Sequence, residues 1–239
     1  AAADADGLHA PEPSRPRPRR HSSGRQTSRG LARPHRPGDA VGVQLRVGTS
    51  GFSYPQWRGR FYPDELTDDE LLGFYAARLP TVEINNTFYR MPKADVVERW
   101  RQQAGRADFR FVWKASRRIS HQAKLKPPEA HDSMAYLWRM AEPLGEQLGP
   151  VLIQTPPYLK KDAGLLREFL AATVPPGRAV AFELASSSWD DDEIDQVLAD
   201  RGCARCIADK DDGTARLVVT APWVYVRLRK DDYADAELA

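Results

Sequence analysis

Val151-Leu-Ile-Gln154 and Ala179-Val-Ala-Phe-Glu183 are two short apolar runs, each ending in a polar residue, and the segment Ala163 to Ala172 between them is patterned as a helix. The unit then repeats. A helix is predicted over Asp191 to Arg201 and another strand over Ala204 to Asp209. Short apolar strands alternating with amphipathic helices predict parallel strands covered by helices, the α/β class.

The same alternation extends in both directions. Toward the N-terminus the predicted elements are a strand over Val43 to Val47 and a helix capped by Thr67, with Glu70 three residues on completing a capping box. A strand over Val82 to Asn85, a helix over Ala94 to Gln103 and a strand over Phe109 to Lys114 follow. The next helix is expected over Ser133 to Leu148, interrupted by Pro143, which lacks the N–H a helix interior needs. Toward the C-terminus, Trp223 to Arg227 reads as a seventh strand and Asp231 to Leu238 as the start of a helix. Seven strands in one series favour a TIM (β/α)8-type barrel over a doubly wound sheet. The chain stops after about seven βα units, so the barrel is expected to be incomplete, with residues 41–239 forming the domain and the final unit lacking.

Residues 1–40 contain six Pro and the run Arg15-Pro-Arg-Pro-Arg-Arg20, without apolar periodicity. They predict a disordered Arg/Pro-rich tail, because such a segment buries too little surface to offset its ordering entropy. The tail has no apolar core of a secretory signal, and no run in the chain approaches the length of a transmembrane helix, so a cytoplasmic protein without membrane contact is expected. Charge is divided unevenly. Residues 1–43 carry eight Arg against four acids, and the remainder carries 27 Lys and Arg against 29 Asp and Glu. That balance argues against a globally basic nucleic-acid-binding domain and leaves a local basic patch open.

His121 and His131 are the only histidines after residue 43, which excludes a metal site built from several imidazoles. Cys203 and Cys206 form a C-x-x-C without a second pair of soft ligands. Their spacing on a strand places the thiols on opposite faces, so neither a zinc site nor a redox motif is expected.

The polar residues gather at strand ends. Thr49 and Ser50 end the first strand, Glu83, Asn85 and Asn86 the second, Lys114 the third, Gln154 the fourth, Glu183 the fifth, Asp209 the sixth and Arg227 the seventh. In a βα barrel the C-terminal ends of the strands converge on one mouth, where ligands bind. Glu83, Glu183, Lys114, Asp209 and His121, on the loop after the third strand, are the candidate catalytic groups. Thr49, Ser50, Trp57, Asn85, Asn86, Tyr89, Gln154, Trp189 and Arg227 are candidate ligand contacts.

Gly48-Thr-Ser-Gly-Phe-Ser-Tyr54, Trp57-Arg-Gly-Arg-Phe-Tyr-Pro63 and Val82-Glu-Ile-Asn-Asn-Thr-Phe-Tyr89 closely resemble motifs of the DUF72 (YecE-like) family. So do Lys114-Ala-Ser-Arg-Arg-Ile-Ser-His121, Gln154-Thr-Pro-Pro157, Phe182-Glu183 with Ser188-Trp189, and Ala208-Asp209. The resemblance runs from about Val43 to Tyr233 and implies a TIM-barrel fold without supplying a reaction. The family commonly carries Arg-His between the strand-five Glu and Ser-Trp; here Ala185 and Ser186 stand in that stretch.

Three functions compete. Basic loop residues such as Arg58, Arg117, Lys124 and Lys161, interleaved with aromatics, suggest a phosphate-bearing ligand or nucleic acid. Glu83 and Glu183 suggest a carboxylate-based hydrolase, glycosidase-like or assisted by Mg²⁺ or Mn²⁺ held with Asp209, although no cofactor is required. The third reading is a non-catalytic binding protein or inactive fragment.

Overall fold

The computed structural model describes residues 42–209, 216–230 and 232–233. The expected tail and the helix expected after Asp231 lie outside these residues, apart from Asp232 and Tyr233. Seven parallel strands stand in sequence order: β1 (Gly48–Ser50), β2 (Thr81–Ile84), β3 (Arg110–Lys114), β4 (Leu148–Gln154), β5 (Val180–Glu183), β6 (Ala204–Asp209) and β7 (Tyr225–Leu228). Between them run the helices α1 (Leu71–Ala76), α2 (Asn86–Tyr89), α3 (Ala94–Ala104), α4 (Glu129–Ala141), α5 (Ala163–Thr173) and α6 (Asp192–Ala199). A consecutive all-parallel order is that of a βα barrel, in which each crossover lays a helix on the outer face.

Strand alternation sorts the core into two layers. Val82, Phe111, Trp113, Val151, Ile153, Val180 and Phe182 point outward and pack with α1 and α3–α6 residues such as Tyr75, Val97, Met134, Phe169 and Ile194. Val112, Leu152, Ala181, Ala204 and Cys206 point inward and form a separate, smaller cluster. The inner face is therefore apolar near the strand starts, and its polar residues come one pleat later, at the C-terminal ends. Cys203 joins the outer layer and Cys206 the inner one, as their spacing on a strand requires.

Three of the expected elements differ by more than two residues. The first strand is not Val43–Val47. Pairing with β2 begins only at Gly48, opposite Thr81, and Leu45 and Val47 are 79% and 57% exposed. Gly48 marks the start because a Cβ there would lie 2.1 Å from the Thr81 carbonyl oxygen; the β1 and β2 backbones touch where only hydrogen fits. The expected helix over 133–148 starts earlier, at Glu129, and gives way to a 3-10 turn over Glu142–Gln147 at Pro143. At the first helix Thr67 is not the N-cap. Its N–H and hydroxyl both donate to Glu70 Oε2, at 2.9 and 2.7 Å, while the Glu70 N–H bonds to the Thr67 carbonyl rather than the hydroxyl. The capping box is therefore half made, and the helix starts at Leu71 with Glu70 as its N-cap.

Candidate functional site at the mouth of the strands

The inward residues at the strand ends meet around one guanidinium. Arg227 Nη2 on β7 donates to Glu83 Oε1 on β2 at 2.7 Å, and Arg227 Nη1 donates to Glu183 Oε2 on β5. All three side chains are at least 95% buried. Glu83 takes two further donors, Ser50 Oγ from β1 at 2.9 Å and the Tyr225 hydroxyl from β7 at 2.7 Å. The amide of Gln154, on β4, donates to Glu183 Oε1 at 3.1 Å. Burial of ions is costly unless they are paired and hydrogen-bonded, and this network meets that demand from five strands. Arg227 stays protonated. Burial works against its charge, but Glu83 and Glu183 outweigh that and hold its pKa above the ordinary arginine value. Burial and the adjoining Glu83 carboxylate push the Tyr225 phenol well up, so it serves as a donor.

Two carboxylates and one guanidinium leave one negative charge, and Lys114 on β3 supplies the balancing cation. Its side chain is half-buried, and Nζ stands 4.6 Å from the Phe88 ring centroid. Among the described residues no carboxylate lies within ion-pair distance of it. Burial lowers its pKa first and the Arg227 charge second, against the opposing pull of Glu83 and Glu183.

The Phe88 ring also meets His121, edge to face, with centroids 5.1 Å apart. His121 belongs to a π-helical turn, Arg118–Gln122, in the loop after β3. Its Nδ1 lies 2.9 Å from Ser120 Oγ, and its carbonyl accepts from the Tyr158 hydroxyl at 3.0 Å. Burial, then Lys114 and Arg117, lower its pKa. The same loop holds Lys124 and Leu125 at φ values of 54° and 64°. Such left-handed conformations cost non-glycine residues about 1–3 kcal/mol each; here the Leu125 N–H bonds to the Ile119 carbonyl at 2.9 Å and the Leu125 side chain is buried. Loops after β2, β3 and β4 thus form one rim of Phe88, His121 and Tyr158.

Other candidates lie elsewhere. The Thr49 hydroxyl turns to Tyr75 of α1, at 2.9 Å. Trp57 packs among Tyr54, Phe61 and Tyr62. Trp189 is buried and donates to the Leu159 carbonyl at 2.7 Å, joining two loops. Asn85 is half-buried just before α2, and its carbonyl accepts from the Phe88 N–H. Asn86 and Tyr89 are exposed and line a separate cleft of about 480 Å³ with Arg90, Lys93 and Trp100. Asp209 shares its strand face with Arg205, which reaches outward to Asp195 of α6, and it pairs with Lys230 at 3.4 Å. Alternation therefore turns Asp209 away from Glu83 and Glu183, and among the described residues no three His, Cys, Asp or Glu side chains gather as metal ligands. Among the described residues no helix is long and apolar enough to cross a membrane.

Tyr225 was not among the candidates, although its position two residues before Arg227 places it on the same strand face. Ser186, in the stretch where Arg-His is common, bonds locally to Ser188 Oγ at 3.0 Å and accepts from Lys160 at 3.3 Å.

Comparison with known proteins agrees with this architecture. The chain is 34% identical over 112 residues to the UPF0759 protein YecE of Escherichia coli K12, a match covering 47% of this chain and 38% of that protein. It thus spans well under half the length of that relative. Among solved structures, a DUF72 family protein from Thermotoga maritima superposes with a TM-score of 0.66 at 27% identity, covering 76% of this chain and 72% of that one. A DUF72 family protein from Enterococcus faecalis shares the fold, with a TM-score of 0.61 at 21% identity over 78% of this chain and 71% of that one. The family model described as "Protein of unknown function DUF72" matches residues 46–239, the stretch that holds all seven strands and the Glu83–Arg227–Glu183 network, and the chain belongs to that family.

Proposed function

We propose that the mouth at the C-terminal ends of the strands binds a small phosphate-bearing molecule, with Lys114 as its central cation. The carrying observation is the Lys114 ammonium: half-buried, facing the mouth, and without a carboxylate partner among the described residues while both nearby carboxylates bind Arg227. Burial first, and neighbouring cations second, lower the affinity of both Lys114 and His121 for protons, with Glu83 and Glu183 opposing the shift at Lys114. With both carboxylates held by Arg227, the Lys114 ammonium is the charged group that an incoming anion meets at the mouth.

The same geometry weighs against Glu83 and Glu183 as an acid and base pair, because one guanidinium holds both. A small ligand is favoured over a nucleic acid. Of the basic loop residues, Arg58 pairs with Asp68 and Lys161 with Asp191 and Glu193, which takes these two out of a basic track outside the mouth.

Calorimetric titration with inorganic phosphate and sugar phosphates tests the reading. Binding to the wild-type chain that is lost in Lys114→Met, with the circular dichroism spectrum retained, is the expected result. Equal binding by both chains, or none by either, sinks it.

A further inference from the structure

We infer that Lys114 is a nucleophile that condenses with the carbonyl of its ligand, so that the mouth takes a phosphorylated aldehyde or ketone. This rests on the phosphate-pocket reading and adds the ligand's second functional group.

The argument begins with what Lys114 does not do. A lysine inside an acidic network ordinarily ends on a carboxylate. Here Glu83 accepts from Arg227, Ser50 and Tyr225, and Glu183 accepts from Arg227 and Gln154. Lys114 is left over the face of Phe88. A structural counter-charge would end on a carboxylate; over Phe88 the ammonium has only a cation–π contact, which leaves its nitrogen outside any ion pair, as an amine that must reach a substrate requires. Burial beside another cation is the setting that activates a lysine for imine formation, since it favours the neutral amine. Burial is the larger push toward the neutral amine and Arg227 supplies the cation, against the opposing pull of Glu83 and Glu183.

The chemistry closes without a redox partner. The neutral Nζ lone pair attacks the carbonyl carbon, forming the C–N bond as the C=O π pair moves onto oxygen, and the proton shed by the nitrogen passes to that oxygen to give a neutral carbinolamine. Protonation of that hydroxyl expels water as the nitrogen lone pair forms C=N, and the product is an iminium ion. His121, on the same Phe88 ring, is the rim group that can carry these protons. The iminium keeps a positive charge at Nζ, and the ligand's phosphate lies between it and Arg117, the second cation that acts on His121.

The full chain is treated with low concentrations of pyridoxal 5′-phosphate, or of unphosphorylated pyridoxal, then reduced with borohydride and mapped by peptide mass spectrometry. The phosphorylated aldehyde is expected to label Lys114 about tenfold faster than the exposed Lys93 or Lys126, inorganic phosphate to protect Lys114, and pyridoxal to label it more slowly. Lys114→Arg should bind phosphate and form no adduct at the mouth. Labelling of Lys114 no faster than of Lys93 overturns the inference, and if phosphate still binds by calorimetry the pocket reading survives alone. Fast labelling that phosphate does not slow supports the nucleophile and overturns the phosphate site.

Discussion

Arg227 Nη2 lies 2.7 Å from Glu83 Oε1, across 144 positions of sequence and from the seventh strand to the second. The contact spans the inside of the curled sheet, and with the Glu183 bond it ties β2, β5 and β7 together at one point. Neither strand neighbours the other in the sheet, so these ion pairs, not backbone ladders, hold that side of the mouth.

Removing the guanidinium leaves two buried carboxylates facing each other. Arg227→Met is expected to destabilise the chain by about 3–5 kcal/mol, the usual cost of breaking a buried ion pair from one side. The triple variant Glu83→Gln, Glu183→Gln, Arg227→Met should recover most of that loss, because no buried carboxylate is left without a partner and the one remaining charge, Lys114, is only half-buried. Urea denaturation of the two variants checks this, and a triple variant no more stable than the single one would show that the charges are not the cause.

Tyr225 donates to the other oxygen of Glu83. Its loss in Tyr225→Phe should cost about 1.5–3 kcal/mol, the range for hydrogen bonds to charged groups. The effects of Tyr225→Phe and Arg227→Met should not add, since both act on one carboxylate. A double-mutant cycle with a coupling term near zero would contradict the shared network.

Most of the fold was legible in the sequence. The strand and helix periods of β2 to β6 are strong because each strand is buried on both sides, so its apolar run cannot be mistaken for a surface segment. The polar ends of those strands were equally legible, since period-two alternation fixes which face Glu83, Gln154 and Glu183 take. Asp209 shows the limit of that argument. It also ends a strand, but counting back from Cys206 and Ala208 puts it on the outer face, so position at a strand end without parity misleads. Val43 to Val47 failed for a different reason. Its alternation is that of a strand, yet what decides pairing is the approach of Gly48 to Thr81, a tertiary contact no local pattern contains. The Lys114–Phe88–His121 arrangement depends on the course of a left-handed loop, which composition does not announce.

That β1 contact gives its own prediction. Gly48→Ala places a methyl group 2.1 Å from a backbone oxygen, which cannot move aside as a flexible side chain would. The strands must separate, at about 1–3 kcal/mol for an overpacked site. Each kcal/mol lowers Tm by about 2–4 °C in a chain of this size. A Gly48→Ala protein that melts with the wild type would place β1 further from β2 than described.

His121 provides the pH signature of the mouth. Its pKa lies below the ordinary 6.5 because of burial and then the cations Lys114, from β3, and Arg117, from its own loop; Phe88 and Tyr158 pack beside it without charge. In the interval between the folded value and 6.5 the unfolded chain binds more protons at this site than the folded one. The His121 contribution to stability is therefore complete above 6.5 and lost as pH falls from 6.5 through the folded pKa. Lys114→Met removes one of the two cations and should raise the His121 pKa toward 6.5, narrowing that interval. A phosphate held at the mouth should raise it as well, by stabilising the imidazolium. Ring-proton NMR titrations of the wild type, of Lys114→Met and of the wild type in phosphate measure all three, with the resonance missing from His121→Gln giving the assignment among the five histidines. A His121 resonance that titrates at or above 6.5 in the wild type, or that ignores both changes, would remove His121 from the electrostatic reach of Lys114.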